Sequence, residues 1–125
     1  MNYSIDTLMQ AVEKWLVTGE LNTNILSSDF TFSSPFWKKA NKQEFIAKFS
    51  DPTEYIEKSL VNITKFDPIV YCASKDGQYF TLTLTYHTKN GCSVDEVVLC
   101  EVNEGLLQRM KTIYDLSETK KAHNK

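Results

Sequence analysis

The sequence predicts an α+β domain in which a curved, cone-shaped antiparallel sheet wraps over a long N-terminal helix, with two shorter helices beside it. Three observations carry this expectation. Apolar residues fall at helical spacing from Ser4 to Val17, period-two alternation dominates from Leu60 onward, and all four glycines sit at element ends or in turns.

In chain order, Ile5, Leu8, Met9, Val12, Trp15 and Leu16 make one helical stripe, with Ser4 placed to cap it and Gly19 to stop it. A short second helix around Glu20 to Leu26 rests on Leu21, Ile25 and Leu26. Asp29 to Ser34 alternates as a strand and closes at Pro35, which cannot donate to a ladder. Asn41 followed by Glu44 has the form of a capping box, and Phe45, Ile46 and Phe49 supply the apolar face of the helix it opens. Asp51-Pro52 ends or redirects that helix.

Ser59 to Ser74 reads as one long strand bent at Asp67-Pro68. Turns at Asp76-Gly77, Asn90-Gly91 and Glu104-Gly105 divide the remainder into antiparallel hairpins. Residues 1–116 are expected to form a single domain, and 117–125, polar and lysine-rich, a flexible tail.

With 125 residues the chain can bury a core without a staple. Its formal charge is −2; removing the +2 of the lysine-rich tail leaves −4 for the body, which argues against a nucleic-acid surface. No apolar run approaches the ~20 residues of a membrane span, and the first residues lack signal-peptide character, so a cytoplasmic protein is expected. Cys72, Cys92 and Cys100 have no C-x-x-C spacing. Cys92 and Cys100 would stand about 26 Å apart along one strand, so reduced, packed thiols are expected. No phosphate-cradling glycine motif and no convergent set of metal ligands is present, so neither cofactor nor metal is expected.

The most informative stretch runs from Phe80 to Val102. Phe80, Leu82, Leu84 and Tyr86 share one face of the first strand, while Cys92, Val94, Glu96, Val98, Cys100 and Val102 share a face of the second. Glu96 is the one acid in that apolar row. It must find a partner, reach water or surrender its charge, so it is a general-base candidate at a pocket or an acid at a strand end, in water or paired with a lysine.

The segment Asp29-Phe30-Thr31-Phe32-Ser33-Ser34-Pro35, the Gln43 to Phe49 helix and the closing Gly105-x-x-x-x-Met-x-x-Ile-Tyr-Asp115 together resemble the nuclear transport factor 2-like superfamily, particularly its SnoaL-like members. The likeness runs nearly to Leu116. That superfamily includes ketosteroid isomerases, polyketide cyclases and dehydratases alongside proteins without known catalysis. The resemblance implies an isomerase acid at Ser34, an oxyanion-binding tyrosine at Trp15 and a second acid at Val98, and none of these residues supplies the expected group. The cyclase acid falls at Thr112, with Asp115 three residues beyond.

The candidate catalytic residues are therefore Glu96, Tyr86 and Tyr114, the two tyrosines as hydroxyl donors or as plain core. Trp15, Phe32, Ser34, Trp37, Val98, Cys100 and Thr112 are candidate ligand contacts. Phe36 and Trp37 either rim an opening or simply anchor the loop after Pro35. His87 falls on the face opposite Glu96, His123 falls in the tail, and Arg109 reads as a surface ion pair. Val97, Leu99, Leu107 and Ile113 alternate out of the cone beside Thr81, Thr83 and Thr85, and with the superfamily's habit of dimerising this implies a homodimer packed sheet to sheet. The expected function is binding of a small apolar molecule. An isomerase, cyclase or dehydratase is the alternative, and a protein-interaction module is a third reading from another class.

Overall fold

The computed structural model describes residues 2–123. Helix α1 spans Ile5–Thr18; Ser4 Oγ accepts from the Thr7 amide at 3.2 Å, and Gly19 ends the helix in the left-handed conformation, its amide donating to Trp15 O. Glycine is required at 19 for space as well. A Cβ there would sit 2.9 Å from the Tyr55 ring.

The expected second helix is only a 3₁₀ turn, Thr23–Ile25, capped by the Asn22 side chain, and Leu26 already begins strand β1, Leu26–Ser33. Strand β2 is a two-residue segment, Ala40–Asn41, running directly into helix α2, Lys42–Phe49. The capping box is complete: Glu44 N–H donates to Asn41 Oδ1 and Asn41 N–H to Glu44 Oε1, both at 2.9 Å.

Asp51-Pro52 redirects the chain by starting a new helix. Asp51 Oδ1 accepts from the Thr53 and Glu54 amides, Pro52 takes the first helical position of α3, Pro52–Tyr55, and a wider π-helical turn follows over Ile56–Leu60. The long strand expected over residues 59–74 is two short ones, β3 at Ile63–Phe66 and β4 at Val70–Ala73. Both pair with the same edge of β5, Tyr79–Thr88, so Asp67-Pro68 interrupts the ladder instead of bending it. The final hairpin joins β6, Ser93–Asn103, to β7, Leu106–Ile113.

The sheet has the order β2-β1-β7-β6-β5-β3, with β4 also on β5. It is mixed: β1 lies parallel to β7, and every other pair is antiparallel. The inward face is the alternation read from the sequence, with Phe80, Leu82, Leu84 and Tyr86 buried beside Val94, Val98 and Cys100 and covered by Leu8, Val12, Trp15 and Leu16 of α1.

Two expectations fail against this frame. Leu107 is fully buried, because the register shifts between Glu101 and Val102 and the extra residue, Gln108, turns Leu107 inward while Arg109 stays outside, ion-paired with Glu101 at 3.2 Å. The segment after Leu116 also departs from the expected tail. It forms helix α4, Leu116–His123, with Thr119 and Ala122 buried. Asp115 caps it, accepting from Glu118 N–H at 2.8 Å, and Asn90 Nδ2 and Asn62 Nδ2 donate to the carbonyls of Lys121 and His123. Residues 124 and 125 of the expected tail lie outside the described residues. Among the described residues no helix is long and apolar enough to cross a membrane.

Candidate functional site

Between the inner sheet face, the C-terminal end of α1, helices α2 and α3 and helix α4 lies a cavity of about 840 Å³, within the range of small-molecule sites. Its apolar wall is largely aromatic. Trp15 packs on Phe45, Phe49 and Tyr55 with ring centroids 5.3 to 5.7 Å apart, and Phe32 packs on Phe45 and Trp37. Phe36, 58% exposed, leans on Tyr114 at the opening.

Glu96 sits in the middle of β6, opposite Leu84 of β5, and its side chain lines this cavity. Part of it remains accessible through the cavity, yet no hydrogen bond or ion pair from a described residue reaches its carboxyl. Enclosure by protein without a counter-charge pushes its pKa up to about 7. Glu96 stands in mid-strand and not at a strand end, and no lysine among the described residues pairs with it.

Three phenols share its surroundings. Burial first, and the nearby Glu96 charge second, hold Tyr55 and Tyr86 well above the ordinary tyrosine value. Burial likewise raises Tyr114, partly offset by its hydrogen bond with Ser34. The Tyr86 hydroxyl lies 3.0 Å from His123 Nε2, and the Tyr55 hydroxyl donates to Leu16 O at 3.2 Å. Trp15 is 3% exposed, and its indole N–H has no partner among the described residues.

Of the residues singled out in the sequence, Glu96, Tyr86, Tyr114, Trp15, Phe32, Ser34, Trp37 and Thr112 all line the cavity. Val98 and Cys100 do not. They sit fully buried further along β6, against Leu82 and Phe80, and belong to the packed end of the interior. Asp115 is engaged in capping α4 and takes no place in the wall.

The structure adds Tyr55 and His123, which the sequence reading passed over. Asp51-Pro52 carries a helix-start signal as well as a stop signal, and reading it as a start would have delivered Tyr55. Asp115 followed by Glu118 is a comparable cap pattern for α4, masked by the polar composition of that segment. His87, outside the cavity, links Asp67 at 2.9 Å and Ser93 at 2.8 Å on the outer face. Among the described residues no group of three or more His, Cys, Asp or Glu side chains is placed to hold a metal ion.

Neither a protein-family model nor a curated protein matches the sequence. Solved structures do. A candidate polyketide cyclase from Pseudomonas putida KT2440 superposes with a TM-score of 0.65 at 18% identity, over 97% of this chain and 98% of that one. A protein with a ketosteroid isomerase-like fold from Catenulispora acidiphila, in complex with trimethylamine, gives 0.62 at 12% identity over 99% and 95%. An NTF2-like protein of unknown function from Cytophaga hutchinsonii gives 0.58 at 16% over 92% and 93%. At such identities the likeness speaks for architecture, and the chain has the cone-shaped fold of the nuclear transport factor 2-like superfamily.

Proposed function

We propose that this protein binds a small, largely apolar molecule in the cavity facing Glu96. The observation that carries the reading is an open, aromatic-walled space of about 840 Å³ holding a carboxyl, Glu96, that has no partner among the described residues. An acid kept there without a partner costs stability, and a ligand atom able to hydrogen-bond with it offsets that cost. The open interior favours a ligand site over an interaction module, for which a filled cone would be expected. Native mass spectrometry of the protein as isolated tests the reading. A co-purifying small molecule that disappears in a Leu84→Trp variant, which fills the cavity, supports it; identical dye and ligand binding by wild type and Leu84→Trp would overturn it.

A second reading is acid–base catalysis of the isomerase, cyclase or dehydratase kind. It is favoured by a carboxyl near neutrality beside phenols that can donate to a developing oxyanion. In that reading Glu96 takes a proton from carbon while Tyr86, backed by His123, and Tyr114 hydrogen-bond to the substrate oxygen. Turnover of a carbon acid by wild type and not by Glu96→Gln checks it.

We further propose a cytoplasmic homodimer packed through the outer sheet face. Support comes from Ile113, 47% exposed, next to Val97 across the β6–β7 pair, and from three unbridged cysteines. A monomeric mass in sedimentation at micromolar concentration would remove the dimer.

A further inference from the structure

We infer that the cavity takes its ligand head-out, as a small apolar carboxylate whose anionic group rests at the mouth between Lys48 and Lys120 while the body reaches in toward Glu96. This rests on the reading of the cavity as a ligand site and adds the charge and direction of the ligand.

The mouth is basic. Lys48 Nζ stands 5.6 Å from the Trp37 ring centroid and Lys120 Nζ 6.0 Å from that of Phe36, so two ammonium groups, from α2 and α4, flank consecutive residues of one loop. Neither is paired with a carboxylate among the described residues. The one acid at the mouth, Glu54, is already engaged by Lys58 at 2.7 Å. A chain whose net charge is −2 thus places two lysines, with no carboxylate partner among the described residues, at one opening.

The floor has the opposite character. Glu96, Tyr55, Tyr86 and Tyr114 can each become only neutral or negative, and His123 is hydrogen-bonded to Tyr86. A carboxylate driven to the floor would meet Glu96 in a poorly solvated space, where like charges repel most strongly. Reversing the ligand removes the conflict. The anion meets Lys48 and Lys120 where solvent still screens it partly, the apolar body covers Trp15, Phe32 and Phe49, and a carbonyl or hydroxyl at the inner end can hydrogen-bond with Glu96 or Tyr86.

Calorimetric titration with naphthylacetic acid, its methyl ester and naphthylethylamine separates the possibilities, using wild type and a Lys48→Gln/Lys120→Gln variant. The acid is expected to bind about three- to tenfold tighter than the ester at low salt. That preference should vanish in the double variant and in about 0.5 M salt. An ester that binds as tightly as the acid, or an amine that binds more tightly than both, overturns the head-out carboxylate and leaves the cavity reading standing. Failure of all three to bind wild type overturns both.

Discussion

The Tyr86 hydroxyl and His123 Nε2 lie 3.0 Å apart, joining an inward residue of the central hairpin to the last turn of the C-terminal helix. The contact makes α4 part of the cavity wall, together with Thr119 and Lys120. Ala122, 2% exposed, is the apolar residue that seats the helix. Ala122→Arg should undock α4, cost about 1–3 kcal/mol in urea unfolding, and expose the bonds after Lys120 and Lys121 to trypsin. Unchanged stability together with unchanged cleavage would contradict this seating.

Glu96 sets a pH dependence. Its folded pKa of about 7 lies above the ordinary 4.5, so the unfolded chain releases this proton first as pH rises. Stability from this group is therefore fully present below about pH 4.5, falls through the interval to about 7 and stays flat above it. Across that window the wild type should lose on the order of 3 kcal/mol relative to Glu96→Gln. Parallel stability profiles for the two proteins, from urea titrations at stepped pH, would show that the carboxyl is better solvated than its surroundings imply.

Trp15 separates shape from polarity. Trp15→Phe keeps most of the aromatic packing and removes an indole N–H that has no partner among the described residues, so it should change stability by less than about 1 kcal/mol. Trp15→Ala opens the α1–α2–α3 contact and should cost about 3–5 kcal/mol. If the phenylalanine variant instead falls as far as the alanine one, the N–H has a partner such as an ordered water.

Gly105 is a site where a single methyl group should be felt. Its φ is +73°, and a Cβ would come within 2.6 Å of Asn2 Cα and 2.8 Å of the Tyr3 nitrogen, which itself donates to Gly105 O at 3.0 Å. Gly105→Ala should cost about 2–4 kcal/mol. Gly91→Ala, with nothing within 4 Å of the added carbon, should cost only about 1 kcal/mol from its φ. Equal thermal shifts for the two variants would count against the N-terminal contact.

The parts of the fold that were legible in the sequence were those with a local cause. Ser4, Gly19, Asn41 and Glu44 act within one turn of themselves, and the alternation of Phe80 to Tyr86 states its own face. What escaped depended on partners far away in sequence. The parallel pairing of β1 with β7 leaves no trace in either strand, the bulge at Gln108 is visible only against Glu101 and Val102, and the helix after Asp115 owes its place to Asn62, Asn90 and Tyr86. For the cavity, Glu96 stood out because one acid broke an apolar row, whereas Val98 and Cys100 share its face but lie too far along β6 to reach the open end. Period-two reasoning gives the side of a sheet and says nothing of depth along it.

The side-by-side alignment of Leu26–Ser33 with Leu106–Ile113 has a consequence for how the chain is made. About seventy residues must leave the ribosome between the first strand and the neighbour that completes its ladder, and closing so long a loop is paid for before the contact returns anything. The early segment, with Phe30 and Phe32 on it, must wait beside α1 and α2 with one edge unsatisfied until the last hairpin arrives. Synthesis stalled ahead of Leu106 should therefore yield a nascent chain that chaperones hold and proteases cut, and release of the final strand should close the structure in one step.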